Sequence, residues 1–203
     1  MPFHHYELIA GAETFHTPLL MLHGSGRTEQ DMIPLATELS PKSMAVAVRG
    51  AVPWESGFAF FRRFEDRSID ENSIAVQVRV LAGCIEKISA DHRFVRPPIA
   101  VGFSNGAIMA AALMMLYPHL LSGAVLFRPL SPFAADPRTS IPGSPVLITD
   151  GRDDHRRSPG DAALLASRLA RLGASVTHHQ LPVGHSITEH DHRLAHEWLQ
   201  PLL

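Results

Sequence analysis

The chain has 203 residues, 45% of them apolar and 19% charged, with a formal net charge of −2. That is an ordinary globular mixture, and one domain over residues 1–203 is expected. The charge balance argues against a nucleic-acid partner, the lone Cys84 excludes an intramolecular disulfide, and no apolar run reaches the ~20 residues of a membrane span.

Short apolar runs alternate with segments of helical period. In chain order they predict strand His5–Ala10, strand Pro18–Leu22, helix Thr28–Leu39, strand Ser43–Val48, helix Asn72–Ala90, strand Pro98–Phe103 and helix Asn105–Tyr117. Strand Gly123–Phe127, strand Val146–Thr149, helix Gly160–Leu172, strand Ser175–Leu181 and helix Thr188–Leu199 complete the series. Short strands alternating with longer helices require right-handed crossovers, hence an α/β fold whose mostly parallel sheet of about seven strands has helices on both faces. Two stretches break the alternation. Residues 49–68 hold Trp54, Phe58, Phe60, Phe61 and Phe64, and residues 128–145 hold five prolines. Both leave the carboxyl end of a strand, the edge where open α/β sheets bind ligands.

The strongest local signal is Gly102-Phe103-Ser104-Asn105-Gly106, a G-x-S-x-G between the strand at 98–103 and the helix that follows. A serine on so sharp a turn sits in strained backbone, and its neighbours two before and two after must lack bulk for the turn to close. The turn also presents the hydroxyl at a helix N-terminus, whose free amides favour developing negative charge. A serine hydroxyl needs a base and a group to orient that base. Candidates stand in the expected order: Asp153 and Asp154 after strand 146–149, then His185 after the last strand. Among the thirteen histidines, only His185 lies on that final loop; His178 and His179 fall within a strand, and His190, His192 and His196 within a helix.

Leu22-His23-Gly24-Ser25-Gly26, the G-x-S-x-G, Gly151-Arg152-Asp153-Asp154 and Gly184-His185 together resemble the four motifs of the α/β-hydrolase superfamily. The compact, capless phospholipase/carboxylesterase branch, related to the dienelactone hydrolases, is the most similar. The resemblance implies Ser104 as nucleophile, His185 as general base and Asp154 as the orienting acid, because that position is three after Gly151. Asp153 is the competitor, and His155, where the family usually has Pro, departs from the pattern. It further implies an oxyanion hole from the backbone N–H groups of Ser25 and Asn105, a structural role for His23, and no cofactor.

Those residues imply a serine carboxylesterase that hydrolyses small soluble esters through an acyl-enzyme; eighteen proline-rich residues at 128–145 cannot form a lipase-type cap. The alternatives are a lysophospholipase or acyl-thioesterase, and, outside the enzymes, a small-ligand binder on the same fold. Trp54, Phe58, Phe60 and Phe61 are candidates for the substrate pocket. Arg62, Arg63 and Arg128 could meet a substrate carboxylate or phosphate, but sixteen of the eighteen cations are Arg, and surface charge is the preferred reading for them. Gly24-Ser25-Gly26 fails as a dinucleotide turn because Glu29 stands where a third Gly is needed. No metal site is expected, the His192/His196 pair at i, i+4 being the only hint of one. Residues 1–20 lack Lys and Arg and show no legible signal peptide, so a cytoplasmic protein without membrane partners is expected, with a homodimer possible.

Overall fold

The computed structural model describes residues 5–11 and 16–203, so part of the stretch searched for a leader lies outside the described residues. The strands are β1 (Tyr6–Ile9), β2 (Leu19–Leu22), β3 (Ala45–Val48), β4 (Val52–Trp54), β5 (Gly57–Ala59), β6 (Ile99–Phe103), β7 (Gly123–Phe127), β8 (Pro145–Gly151) and β9 (Ser175–Leu181). The α-helices are α1 (Ile33–Leu39), α2 (Glu71–Asp91), α3 (Asn105–Leu116), α4 (Asp161–Arg171) and α5 (Glu189–Leu199). Seven strands form one sheet in the order β1-β3-β2-β6-β7-β8-β9. Only β1 runs antiparallel, against β3. Strands β4 and β5 pair separately as a hairpin inside the aromatic stretch.

Strand periodicity explains the two-sided core. Leu20, Leu22, Val46, Val48, Ala100, Leu126, Val146 and Ile148 point to one face, where α2, α3 and α4 cover them. Leu19, Met21, Ala45, Ala47, Val101, Val125 and Leu147 point to the other, under α1 and α5. Helix α2 shows the one-sided pattern of a surface helix, burying Ile74, Val78, Leu81, Ile85 and Ile88. Cys84 is buried on the same helix. In contrast, α3 is buried from Asn105 to Met115 and has no polar face, which suits the helix that leaves the centre of the sheet. No described helix is long and apolar enough to cross a membrane.

Two of the α-helices, α2 and α5, start with side-chain caps. Asp70 accepts from the Ser73 amide at 3.0 Å ahead of α2. Before α5, Thr188 and Asp191 form a capping box. The predicted helix from Thr28 begins instead as a 3₁₀ turn over Glu29–Met32 and becomes α-helical only at Ile33. Pro34 has no N–H to donate back to residue 30, so the α-helical ladder cannot extend through that turn.

Register brings the functional loops together. Leu22 stands opposite Gly102 across β2 and β6, so the 23–27 loop leaves the sheet beside Ser104. Gly151 stands opposite Leu181 across β8 and β9, so the loops bearing Asp154 and His185 also leave side by side.

Candidate active site

Ser104 sits at φ 52° and ψ −105°, the strained conformation expected of the turn between β6 and α3. The flanking glycines have distinct reasons. A Cβ on Gly102 would lie 2.6 Å from the Ala107 Cα, and one on Gly106 would lie 2.1 Å from the Leu22 carbonyl oxygen. The first allows the helix to fold back on the strand; the second allows it to pack against the end of β2.

His185 Nε2 lies 3.0 Å from Ser104 Oγ, and its Nδ1 lies 2.7 Å from Asp154 Oδ2. A carboxylate can only accept, so Nδ1 carries the proton and Nε2 is left to accept from the serine hydroxyl. The Asp154 side chain is 1% exposed, and its second oxygen accepts from the Arg156 amide at 2.9 Å. Asp153 faces solvent beside Arg152. Burial holds the His185 imidazole below its ordinary pKa of 6.5; the Asp154 carboxylate opposes that shift, and the charges of Arg157 and Arg156 add to it.

Gly151 explains why the loops bearing Asp154 and His185 can touch. A Cβ there would stand 2.4 Å from the Val183 carbonyl oxygen and 2.5 Å from that of Gly184. Close approach lets Arg152 N–H donate to Leu181 O at 2.8 Å and Asp153 N–H to Val183 O at 3.1 Å, fastening one loop to the other.

Ser25 and Gly24 line the cleft beside Ser104. Asn105 N–H is the first amide of α3, one of those an α-helix leaves without an intrahelical acceptor. The Asn105 side chain is buried and accepts from Phe60 N–H at 2.7 Å, tying the elbow to the residues after β5. His23 is fully buried, and both ring nitrogens are engaged. Gly50 N–H donates to Nε2 at 2.9 Å, which makes Nδ1 the donor to Gly24 O at 2.7 Å. Burial lowers its pKa, so the neutral ring acts as a strut under the 23–27 loop.

The cleft, about 470 Å³, is lined by the 24–27 loop, Trp54 and Glu55 at the hairpin tip, the catalytic candidates and several arginines. Of the four aromatic candidates only Trp54 lines it. Phe60 and Phe61 are fully buried in the core, and Phe58 lies under the Arg49 guanidinium at 5.0 Å. The hairpin folds them inward as it docks on the 24–27 loop, Gly26 N–H donating to Phe58 O and Phe58 N–H to Arg27 O. Residues 128–145 do not wall this cleft either. Arg168 of α4 binds Asp136 and the Phe133 carbonyl, holding that loop against the helix, and Pro129 alone of its members borders a neighbouring cavity.

Two features escaped sequence reasoning. Arg157 Nη2 donates to Ser104 Oγ at 3.0 Å, while its Nε donates to Arg128 O at 2.9 Å. Burial and the charge of Arg63 bring the Arg157 pKa down to about 10. Arg128, itself at φ 54° and fully buried, pairs bidentately with Asp191 of α5 at 2.7 Å and 2.7 Å. It also donates to the carbonyls of Gly184 and Ser186, on either side of His185, at 3.1 Å and 2.8 Å. Arg128 is therefore neither surface charge nor substrate ligand; it holds the loop bearing His185. Arg62 remains exposed. His192 and His196 turn to different partners, Glu38 and the Leu39 carbonyl, rather than to one another. His5, Glu7 and Glu29 do cluster within 4.8 Å, but Arg49 already binds Glu29 through two hydrogen bonds.

No family model matches the chain. It is 34% identical over 181 residues to MhqD of Bacillus subtilis strain 168, assigned as a hydrolase, a match covering 89% of this chain and 90% of that protein. The crystal structure of a Bacillus cereus carboxylesterase superposes with a TM-score of 0.94 at 30% identity, covering 98% of this chain and 95% of that one. A carboxylesterase from Mesorhizobium loti gives 0.91 at 31% identity, covering 97% and 94%. Likeness of this extent, over a seven-stranded hydrolase sheet without a cap, makes the protein an ester-hydrolysing enzyme and places the chain in the compact carboxylesterase family of the α/β-hydrolase superfamily.

Proposed function

We propose that the protein is a serine carboxylesterase in which Ser104, His185 and Asp154 act as nucleophile, base and orienting acid. The observation that carries this reading is the continuous hydrogen-bond chain from Asp154 Oδ2 through the imidazole to Ser104 Oγ, with Ser104 on a strained elbow. Attack of Oγ on the ester carbonyl transfers the hydroxyl proton to His185 Nε2 and forms a tetrahedral intermediate. The amides of Ser25 and Asn105 receive its oxyanion, and Asp154 stabilises the imidazolium. The carbon–oxygen bond to the alcohol then breaks, and His185 protonates the departing alkoxide. Water, deprotonated by the same imidazole, attacks the acyl-serine, and the acid leaves as Ser104 recovers its proton.

A cleft bordered by short loops, with no cap over it, suits small soluble esters better than long acyl chains. The chemistry is tested by replacing Ser104 with Ala: hydrolysis of a p-nitrophenyl ester should fall by several orders of magnitude while the fold is retained. Wild-type turnover in that variant would exclude the nucleophile. An acyl-length series tests the substrate class, and preference for long-chain triglycerides would contradict it.

A further inference from the structure

The protein carries a net charge of −2, yet the cleft around Ser104 concentrates positive charge. Arg27, Arg63, Arg67, Arg156 and Arg157 line it, with Glu55 the one carboxylate in the lining. Arg27 is already paired with Asp31 at 3.2 Å. Among the described residues, no carboxylate stands within ion-pair distance of the other four arginines.

The two deepest of these are held so that their charge stays in the cleft. Arg63 Nη1 donates to Arg67 O at 2.7 Å, and its guanidinium lies 5.5 Å from the centre of the Phe61 ring. Arg157 gives one hydrogen bond each from Nε, Nη1 and Nη2, to Arg128 O, Arg156 O and Ser104 Oγ. All three acceptors are neutral. A guanidinium has five N–H groups, so two remain for a ligand next to the nucleophile.

Gathering like charges in a half-buried cleft opposes folding, and a bound anion reverses that opposition. Guanidinium groups also match carboxylate and phosphate oxygens in pairs, which neutral esters do not offer. We therefore propose that the cleft is an anion receptor and that the substrates are esters carrying a carboxylate or phosphate within a few bonds of the scissile carbonyl, bound by Arg63 and Arg157. The short reach follows from Arg157, whose Nη2 is 3.0 Å from the oxygen that attacks. This inference rests on the esterase reading above.

The test compares p-nitrophenyl hydrogen adipate with its neutral amide isostere, p-nitrophenyl adipamate, and with the p-nitrophenyl ester of phosphonooxybutyrate. Charged hydrogen bonds of ordinary strength give the anionic esters a kcat/KM about ten- to hundredfold above the neutral one. The better of the two anions identifies the natural group. In Arg63→Gln, and separately in Arg157→Gln, that preference should shrink by about tenfold. Glutarate or a phosphate monoester should also protect Ser104 from a fluorophosphonate probe, where chloride at equal ionic strength does not. A neutral ester hydrolysed as fast as the anions, or a preference unmoved in both variants, overturns the anion receptor while probe labelling of Ser104 leaves the esterase standing. Failure of the probe to label Ser104, with no ester turned over, overturns the esterase reading and this inference with it.

Discussion

Arg128→Met removes a guanidinium that is fully buried and makes five hydrogen bonds, two of them to Asp191. The substitution keeps the apolar stem but leaves the fully buried Asp191 carboxylate without its counter-charge. Breaking a buried ion pair from one side costs about 3–5 kcal/mol. For a protein of this size, where 1 kcal/mol moves the midpoint by roughly 2–4 °C, the loss in Tm is about 6–20 °C. The dependence on pH has a definite sign. Burial raises the wild-type Asp191 carboxyl, but hydrogen bonds from Arg128, Thr149 and Thr188 outweigh it and hold the pKa below its ordinary value of 3.8. Its contribution is therefore present above the unfolded pKa and lost as pH falls through the lower folded one. Without Arg128 the burial effect dominates and the sign reverses, so the variant should be penalised most at neutral pH and progressively less as Asp191 protonates. Thermal unfolding of both proteins at pH 7 and pH 4, followed by circular dichroism, reads this directly. The double variant Arg128→Met/Asp191→Leu should recover much of the loss, since two apolar residues leave no orphaned charge. A loss below about 1 kcal/mol at pH 7, or one that grows on acidification, would refute the reasoning.

The other expectations concern turnover. Asp154→Asn should lower kcat by roughly three to four orders of magnitude, because an amide can hold the imidazole in the wrong tautomer, while Asp153→Asn has little effect; the reverse ranking would transfer the acid role. As the proposed base, His185 must be neutral to accept the serine proton, and burial holds its pKa below 6.5, so kcat/KM should fall on the acid side only as pH drops beneath that value. Arg156→Gln removes a nearby positive charge and should move this acid limb to higher pH; a shift the other way would contradict the assignment. Gly151→Ala should push the base loop away from Asp154 and lower kcat more than it raises KM, and steady-state kinetics equal to wild type would show that the loops tolerate the 2.4 Å clash.

Most of the fold was legible because the inner strands β2, β3, β6 and β7 are short apolar runs bounded by turn residues. The candidate site was legible where backbone chemistry restricts the residue type: glycines flanking Ser104, Gly151 beneath the loop bearing His185, and His185 itself after the last strand. The hairpin of β4 and β5 was not. Its strands have three residues each, one contains Pro53, and its pairing depends on docking against the 24–27 loop. For the same reason local sequence does not distinguish Phe60 and Phe61, which enter the core, from Trp54, which faces the cleft. Asp191 completes the capping box of α5, while its second partner, Arg128, lies 63 residues away in the chain. Nor does any spacing rule announce that Arg157, three positions past Asp154, reaches Ser104 Oγ. Long side chains acquire such roles from tertiary structure alone.

The central claim is that Ser104 is the atom-bearing nucleophile of an acyl transfer. It is tested most directly by incubating the enzyme with a fluorophosphonate and locating the adduct by peptide mass spectrometry, with esterase activity followed in parallel. One equivalent on Ser104, with activity lost in proportion to labelling and no adduct in Ser104→Ala, is the expected result. An adduct on another residue, or full esterase activity in a protein completely labelled at Ser104, would contradict it.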